Sequence, residues 1–208
     1  MRKVIFNPQL QVIGAEAFDT CSNLEEIDLP STIKYIGRQA FHKCSKLQAL
    51  YLSVEECVIG QRAFINCFNL QEAKLEGVIS IGASAFESCG AMHRVEIGEG
   101  LEKIGDEAFL LCAQLQEITL PRSIQHIGKD AFSYCDSLQK IIINADSDDE
   151  IARVKDLLPK ELQSRVVKSA NNNVSNNKSS FFPDGAQHNL DSESLDEDKR
   201  RGINTTNS

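Results

Sequence analysis

The chain has 208 residues, with 22 basic and 30 acidic side chains and a formal net charge of −8. That balance argues against a general nucleic-acid binder, which needs a basic footprint, and no apolar run approaches the roughly 18 residues that cross a bilayer. A hydrophobic content of 41% implies that part of the chain folds, and seven cysteines, an odd number, cannot all pair within one chain.

Met1 to Pro8 lacks the apolar core of a secretory signal. Val4 and Phe6 stand before Gly14 in the same phase as Ile27 and Leu29 before Gly37, so the chain starts in mid-repeat. Val4, Phe6, Leu10 and Ile13 are therefore expected at an open edge. Either further repeats precede them, or that edge docks end to end on a partner or a second copy.

From there the chain repeats. Ile-Gly recurs at Gly14, Gly37, Gly60, Gly82, Gly105 and Gly128, at spacings of 23, 23, 22, 23 and 23. An Ala-Phe pair places Phe18, Phe41, Phe64, Phe86, Phe109 and Phe132 four residues after each glycine. Cys21, Cys44, Cys67, Cys89, Cys112 and Cys135 follow three further on. Each unit continues as an alternating strand, such as Leu24-x-x-Ile27-x-Leu29 or Leu115-x-x-Ile118-x-Leu120, with one face apolar and one in solvent. Pro30 and Pro121 end two of these strands. The Ala-Phe-x-x-Cys segment reads as one helical or 3-10 turn. The glycine supplies a backbone geometry or a close approach that a Cβ would obstruct. The single spacing of 22 places a deletion in a loop at Glu76-Gly77. No unit can bury its apolar face alone, so the units must stack.

After the last repeat, Asp146 to Glu150 place acids and a capping residue at a helix start. Ile151, Val154, Leu157 and Leu158 follow at helical spacing. Pro159 ends that helix and opens a short second one over 160–166. The pair is expected to cap the array rather than to bind a membrane. The Asn-, Ser- and acid-rich remainder is expected to be disordered. It carries chance-level glycosylation patterns at Asn173, Asn177 and Asn204, and an acid-flanked Ser194.

The cysteines recur with the repeat and not at metal-ligand spacing, and are expected as small core hydrophobes. Cys57 falls off the ladder in a loop, either a reactive thiol or a partly buried spare. His42, His93 and His126 sit at different repeat phases with no nucleophile and acid in train. Neither an active site nor a cofactor site is expected.

The unit L-x-x-I-x-L-P-x-S-I-x-x-I-G-x-x-A-F-x-x-C is similar to the BspA-type leucine-rich repeat, over about residues 3–143. The resemblance implies a right-handed leucine-rich-repeat solenoid with a parallel β-sheet on one face and short helical or 3-10 turns on the other. The expected division is a solenoid over 1–145, a helical cap over 146–168 and a disordered tail over 169–208. Family members are associated with adhesion and protein binding.

The expected function is that of a non-enzymatic protein-interaction module with a protein partner, no nucleic acid and no cofactor. The alternative is an extracellular adhesin fragment whose export signal lies upstream. With no leader visible, a cytoplasmic location is favoured. The candidate binding face is the outward column set Lys3 and Ile5, Glu26 and Asp28, Ala49 and Tyr51, Glu72 and Lys74, Arg94 and Glu96, Glu117 and Thr119, Lys140 and Ile142. Tyr51, Arg94, Ile5 and Ile142 are the types that anchor contacts. Four basic and five acidic groups leave that face nearly neutral.

Overall fold

The computed structural model describes residues 1–169. The expected disordered tail beyond them, with its glycosylation patterns and Ser194, lies outside the described residues. In chain order the elements are β1 (Lys3–Ile5), β2 (Val12–Ile13), β3 (Glu26–Asp28), β4 (Tyr35–Ile36), β5 (Ala49–Ile59) and β6 (Glu72–Ile81). They continue as β7 (Arg94–Ile97), β8 (Lys103–Ile104), β9 (Glu117–Pro121), β10 (His126–Ile127), β11 (Lys140–Asn144), α1 (Asp148–Asp156) and β12 (Val166–Lys168).

Every strand pairing is parallel, as a solenoid built from one unit requires. The alternating segments form the expected sheet, with β1 on β3 and then a run through β5, β6, β7, β9, β11 and β12. A second, narrower ladder was not foreseen. It uses the two residues before each glycine and runs β2, β4, β5, β6, β8 and β10. β5 and β6 are long because they serve both ladders. Where Pro30 follows β3 and Pro121 ends β9, these strands have Ser53 and Glu76, which keep their backbone donors.

The Glu76-Gly77 deletion is therefore not a loop. It lies inside β6, where the register with β5 shifts between Ser53 and Cys57. Gly77 sits at φ +76°, and a Cβ there would lie 2.0 Å from the Val54 carbonyl oxygen. Cys57 is likewise no loop thiol. The bulge turns it inward opposite Val78, where it is fully buried.

The reversals are turns instead of helical segments. In the second repeat, Ala40 N–H donates to the Gly37 carbonyl (3.2 Å) and Cys44 N–H to that of Phe41 (3.2 Å). The third residue of each turn is left-handed, Gln39 at φ 53° and Lys43 at φ 56°. The same two positions are left-handed in all six repeats. A chain with φ positive at every fourth residue cannot continue as a helix.

Neighbouring turns are laced together. Glu16, Phe18 and Thr20 N–H donate to the carbonyls of Arg38, Ala40 and His42, at 2.9, 2.7 and 2.8 Å. The same trio recurs up to Glu107, Phe109 and Leu111, which donate to Lys129, Ala131 and Ser133. That spacing leaves no room for a Cβ on the repeat glycine. At Gly105 it would lie 2.5 Å from Ala83 N, whereas at Gly14 nothing stands within 4 Å.

The core is two ladders of side chains. Phe18, Phe41, Phe64, Phe86, Phe109 and Phe132 stack with ring centroids 5.1–5.6 Å apart. Each ladder thiol from Cys44 to Cys135 donates to the carbonyl of the preceding repeat's phenylalanine, at 3.1–3.3 Å. All seven cysteines are free, and all but Cys21 are buried. Burial raises the thiol pKa values, to about 12 at Cys44, Cys57 and Cys135.

The C-terminal end is closed as expected by α1. Ser147 caps it, accepting from Glu150 N–H (3.2 Å) while the Glu150 carboxylate accepts from Ser147 N–H (3.2 Å). Val154, Leu158 and Leu162 bury against the last repeat. Arg153 donates to the Ile124 carbonyl (2.7 Å), and Arg165 to that of Leu138. The expected second helix shrinks to a single 3-10 turn over Gln163–Arg165. Val166 turns extended instead and begins β12, which adds a further strand beside β11.

Candidate protein-binding face

Strand register places the candidate residues side by side. Lys3 lies opposite Glu26, and Ile5 opposite Asp28. Ala49 and Tyr51 face Glu72 and Lys74, which face Arg94 and Glu96. These face Glu117 and Thr119, then Lys140 and Ile142. The alternation that sends Leu50, Ala73, Val95, Ile118 and Ile141 into the core sends these outward.

Two columns thus assemble, with an interruption. β1 and β3 form a two-stranded sheet of their own, so Ile5, Glu26 and Asp28 stand apart from the continuous run that starts at β5.

The charges on this face satisfy one another. Lys3 pairs with Glu26 (3.3 Å) and Lys74 with Glu76 (3.0 Å). Arg94 lies between Glu96 (2.6 Å) and Glu117 (3.6 Å), and Glu117 also holds Lys140 (2.8 Å). All four cations are engaged, and exposed pairs of this kind contribute little stability. The Tyr51 hydroxyl donates to the Glu72 carboxylate. Partial burial, that hydrogen bond and the carboxylate charge push the Tyr51 phenol up to about 12.

Outside these pairs stand Asp28 and a set of apolar and aromatic side chains. Ile5 is 77% exposed at the N-terminal end and Tyr51 39% in the middle. At the C-terminal end Thr119, Ile142 and Val167 stand in register on adjacent strands, and Val167 is 39% exposed. Val167 escaped the sequence reading. Its only signal was the β-branched pair Val166-Val167, which the apolar spacing of 160–166 concealed as helix. Of the four candidate anchors, Arg94 is held by its two carboxylates and the Tyr51 hydroxyl by Glu72, leaving the Tyr51 ring, Ile5 and Ile142.

Other chemistry is thin. Among the described residues, no three His, Cys, Asp or Glu side chains gather where they could hold a metal ion. His42 Nδ1 meets Asp19 Oδ1 at 2.7 Å, an exposed pair between neighbouring repeats on the turn side. No described helix is long and apolar enough to cross a membrane.

Six copies of the BspA type leucine rich repeat region match the chain, over residues 1–109 and 57–153. No curated protein matches it. Among solved structures it is similar to the T. pallidum leucine rich repeat protein TpLRR, at 27% identity and a TM-score of 0.63, over 67% of this chain and 68% of that one. The pneumococcal vaccine antigen PcpA shares the fold, at 19% identity and a TM-score of 0.53, over 80% of this chain and 42% of its own. The matched residues span all six Gly, Phe and Cys registers that build the solenoid, and the chain belongs to the BspA-type leucine-rich-repeat family.

Proposed function

We propose that the chain is a non-enzymatic protein-interaction module that binds a protein partner through its wide sheet face. The observation that carries this reading is the mutual neutralisation of that face's cations, which leaves the Tyr51 ring, Ile142 and Val167 as its apolar contact groups. Interface cores are depleted in charge and enriched in such aromatic and apolar anchors. The seven unpaired thiols fit a reducing compartment, where an intracellular scaffold works.

The test is capture with the full chain beside a Tyr51→Ala/Ile142→Asp variant, followed by calorimetry on the protein retained. Both baits are first shown to be folded by circular dichroism. An anchor of hot-spot strength is worth about 2 kcal/mol or more, so the variant should bind at least about 30-fold more weakly. Equal affinity for parent and variant would sink the sheet-face reading.

A further inference from the structure

The lacing of the turns stops at the last repeat. In each earlier repeat three turn amides donate to the next turn. The corresponding amides of Asp130, Phe132 and Tyr134 have no acceptor among the described residues. The cap covers the core and the sheet at this end but does not complete the turn ladder. Between the last turn and the cap lies a groove of about 760 Å³, within the size range of ligand pockets.

Its floor is apolar, with Phe132, Leu162 and Pro159, and its rim carries the carboxylates of Glu107, Asp130, Asp136 and Glu161. Arg165, the one cation in the lining, is turned to the Leu138 carbonyl, and Lys129 on the outer side of the rim makes only an exposed pair with Asp130 (3.8 Å).

We propose that this groove is a second docking site and that it takes a short basic peptide segment of a partner protein. The two halves of the groove ask for different things. Unpaired N–H groups need neutral carbonyl acceptors, since the carboxylate rim repels a free anion. The rim needs cationic side chains. A peptide with Lys or Arg beside a small apolar residue supplies both, as edge-pairing peptides supply main-chain acceptors elsewhere.

A second copy of this chain is a poor occupant. Its open first turn has carbonyls of the right spacing but bears Glu16 and Asp19, and in repeat register Glu16 would stand beside Asp130. The second repeat's turn, residues 37–44, has the same geometry with Arg38 and Lys43 and no acid. It is the natural probe.

The experiment uses the full, ¹⁵N-labelled chain and two blocked octapeptides, one copying residues 37–44 and one copying residues 14–21, each with serine in place of cysteine. In the free chain, the amides of Asp130, Phe132 and Tyr134 should exchange with solvent much faster than those of Glu107, Phe109 and Leu111. The basic peptide should shift those three resonances saturably and slow their exchange, and the acidic one should not.

Asp130→Asn/Glu161→Gln should weaken the basic peptide about 5-fold, the scale of two partly exposed charge contacts. Both sites are exposed, and asparagine tolerates the left-handed φ of 55° at position 130. Three results would each overturn the proposal. They are amides already protected in the free chain, resonances unmoved at millimolar peptide, or equal affinity for the two peptides.

Discussion

At the scale of single residues, the repeat glycines separate two roles that sequence alone leaves merged. Gly14 and Gly105 occupy the same place in the unit, and neither has the positive φ that demands glycine. Only Gly105 has a neighbouring turn packed where its Cβ would be. Gly105→Ala should therefore cost about 1–3 kcal/mol by overpacking, while Gly14→Ala stays within about 0.5 kcal/mol. Urea unfolding of the two variants checks this directly. If they behave alike, close approach is not what fixes the glycine.

The thiols make a second residue-scale prediction. Cys57 is buried with the ladder, so only Cys21, half-buried at the N-terminal edge, should react readily with iodoacetamide in the native state. Mass mapping after brief alkylation reads this out. Protonated thiols are favoured in the fold, with pKa values raised to about 12 at Cys44, Cys57 and Cys135. Their stabilisation is complete below the unfolded pKa near 9 and fades as pH climbs towards 12. The urea midpoint should accordingly fall across that window. Cys57→Val, close in volume and without a titrating group, should soften the fall.

At the scale of elements, the sequence is most legible where one residue type recurs in one place. The Phe and Cys ladders, the outward columns and the capped start of α1 could all be read from spacing. The second ladder could not, because two residues such as Tyr35-Ile36 are too short to show a period. β12 was hidden because Leu162 and Val166 are four apart, which suits a helix face as well as a cap followed by a strand. Gly77 misled in a different way. A one-residue deletion is usually absorbed in a loop, but here a bulge in β5 and a left-handed glycine in β6 absorb it while pairing continues on both sides.

The Ser147 capping box gives this scale its own test. Ser147→Ala removes one side of a reciprocal pair and should lower stability by about 1 kcal/mol. The hydrogen bonds from Ser147 and Asp146 lower the Glu150 pKa, so the box is intact above the ordinary carboxylate range and weakens as pH falls through it. A pH series comparing parent and Ser147→Ala should show the difference between them shrink below about pH 4.5.

Over the whole solenoid, stability is a sum of like interfaces, so the ends and the middle should not open together. Phe41, Phe64, Phe86 and Phe109 are fully buried, each between two other rings, while Phe18 at the N-terminal edge is only half-buried. Phe64→Ala should cost about 3–5 kcal/mol and split the array, with a first unfolding step that leaves the C-terminal repeats protected in hydrogen exchange. A single cooperative transition in that variant would show that coupling along the stack exceeds the loss of one rung.

The lacing of the turns has a last consequence, an electrical one. From Glu16 to Leu111 the laced amides all point the same way along the stack, toward the C-terminal end. Parallel strands largely cancel their own dipoles, but these turns add. Beside these amides Gly37, Gly60, Gly82, Gly105 and Gly128 N–H donate the other way, but along the turn face the laced amides turn their positive ends toward the edge where Asp130, Asp136 and Glu161 gather. That is the reverse of an α-helix, whose C-terminus favours cations. On this face the direction of the chain and the direction of the local field are set by the same repeated turn.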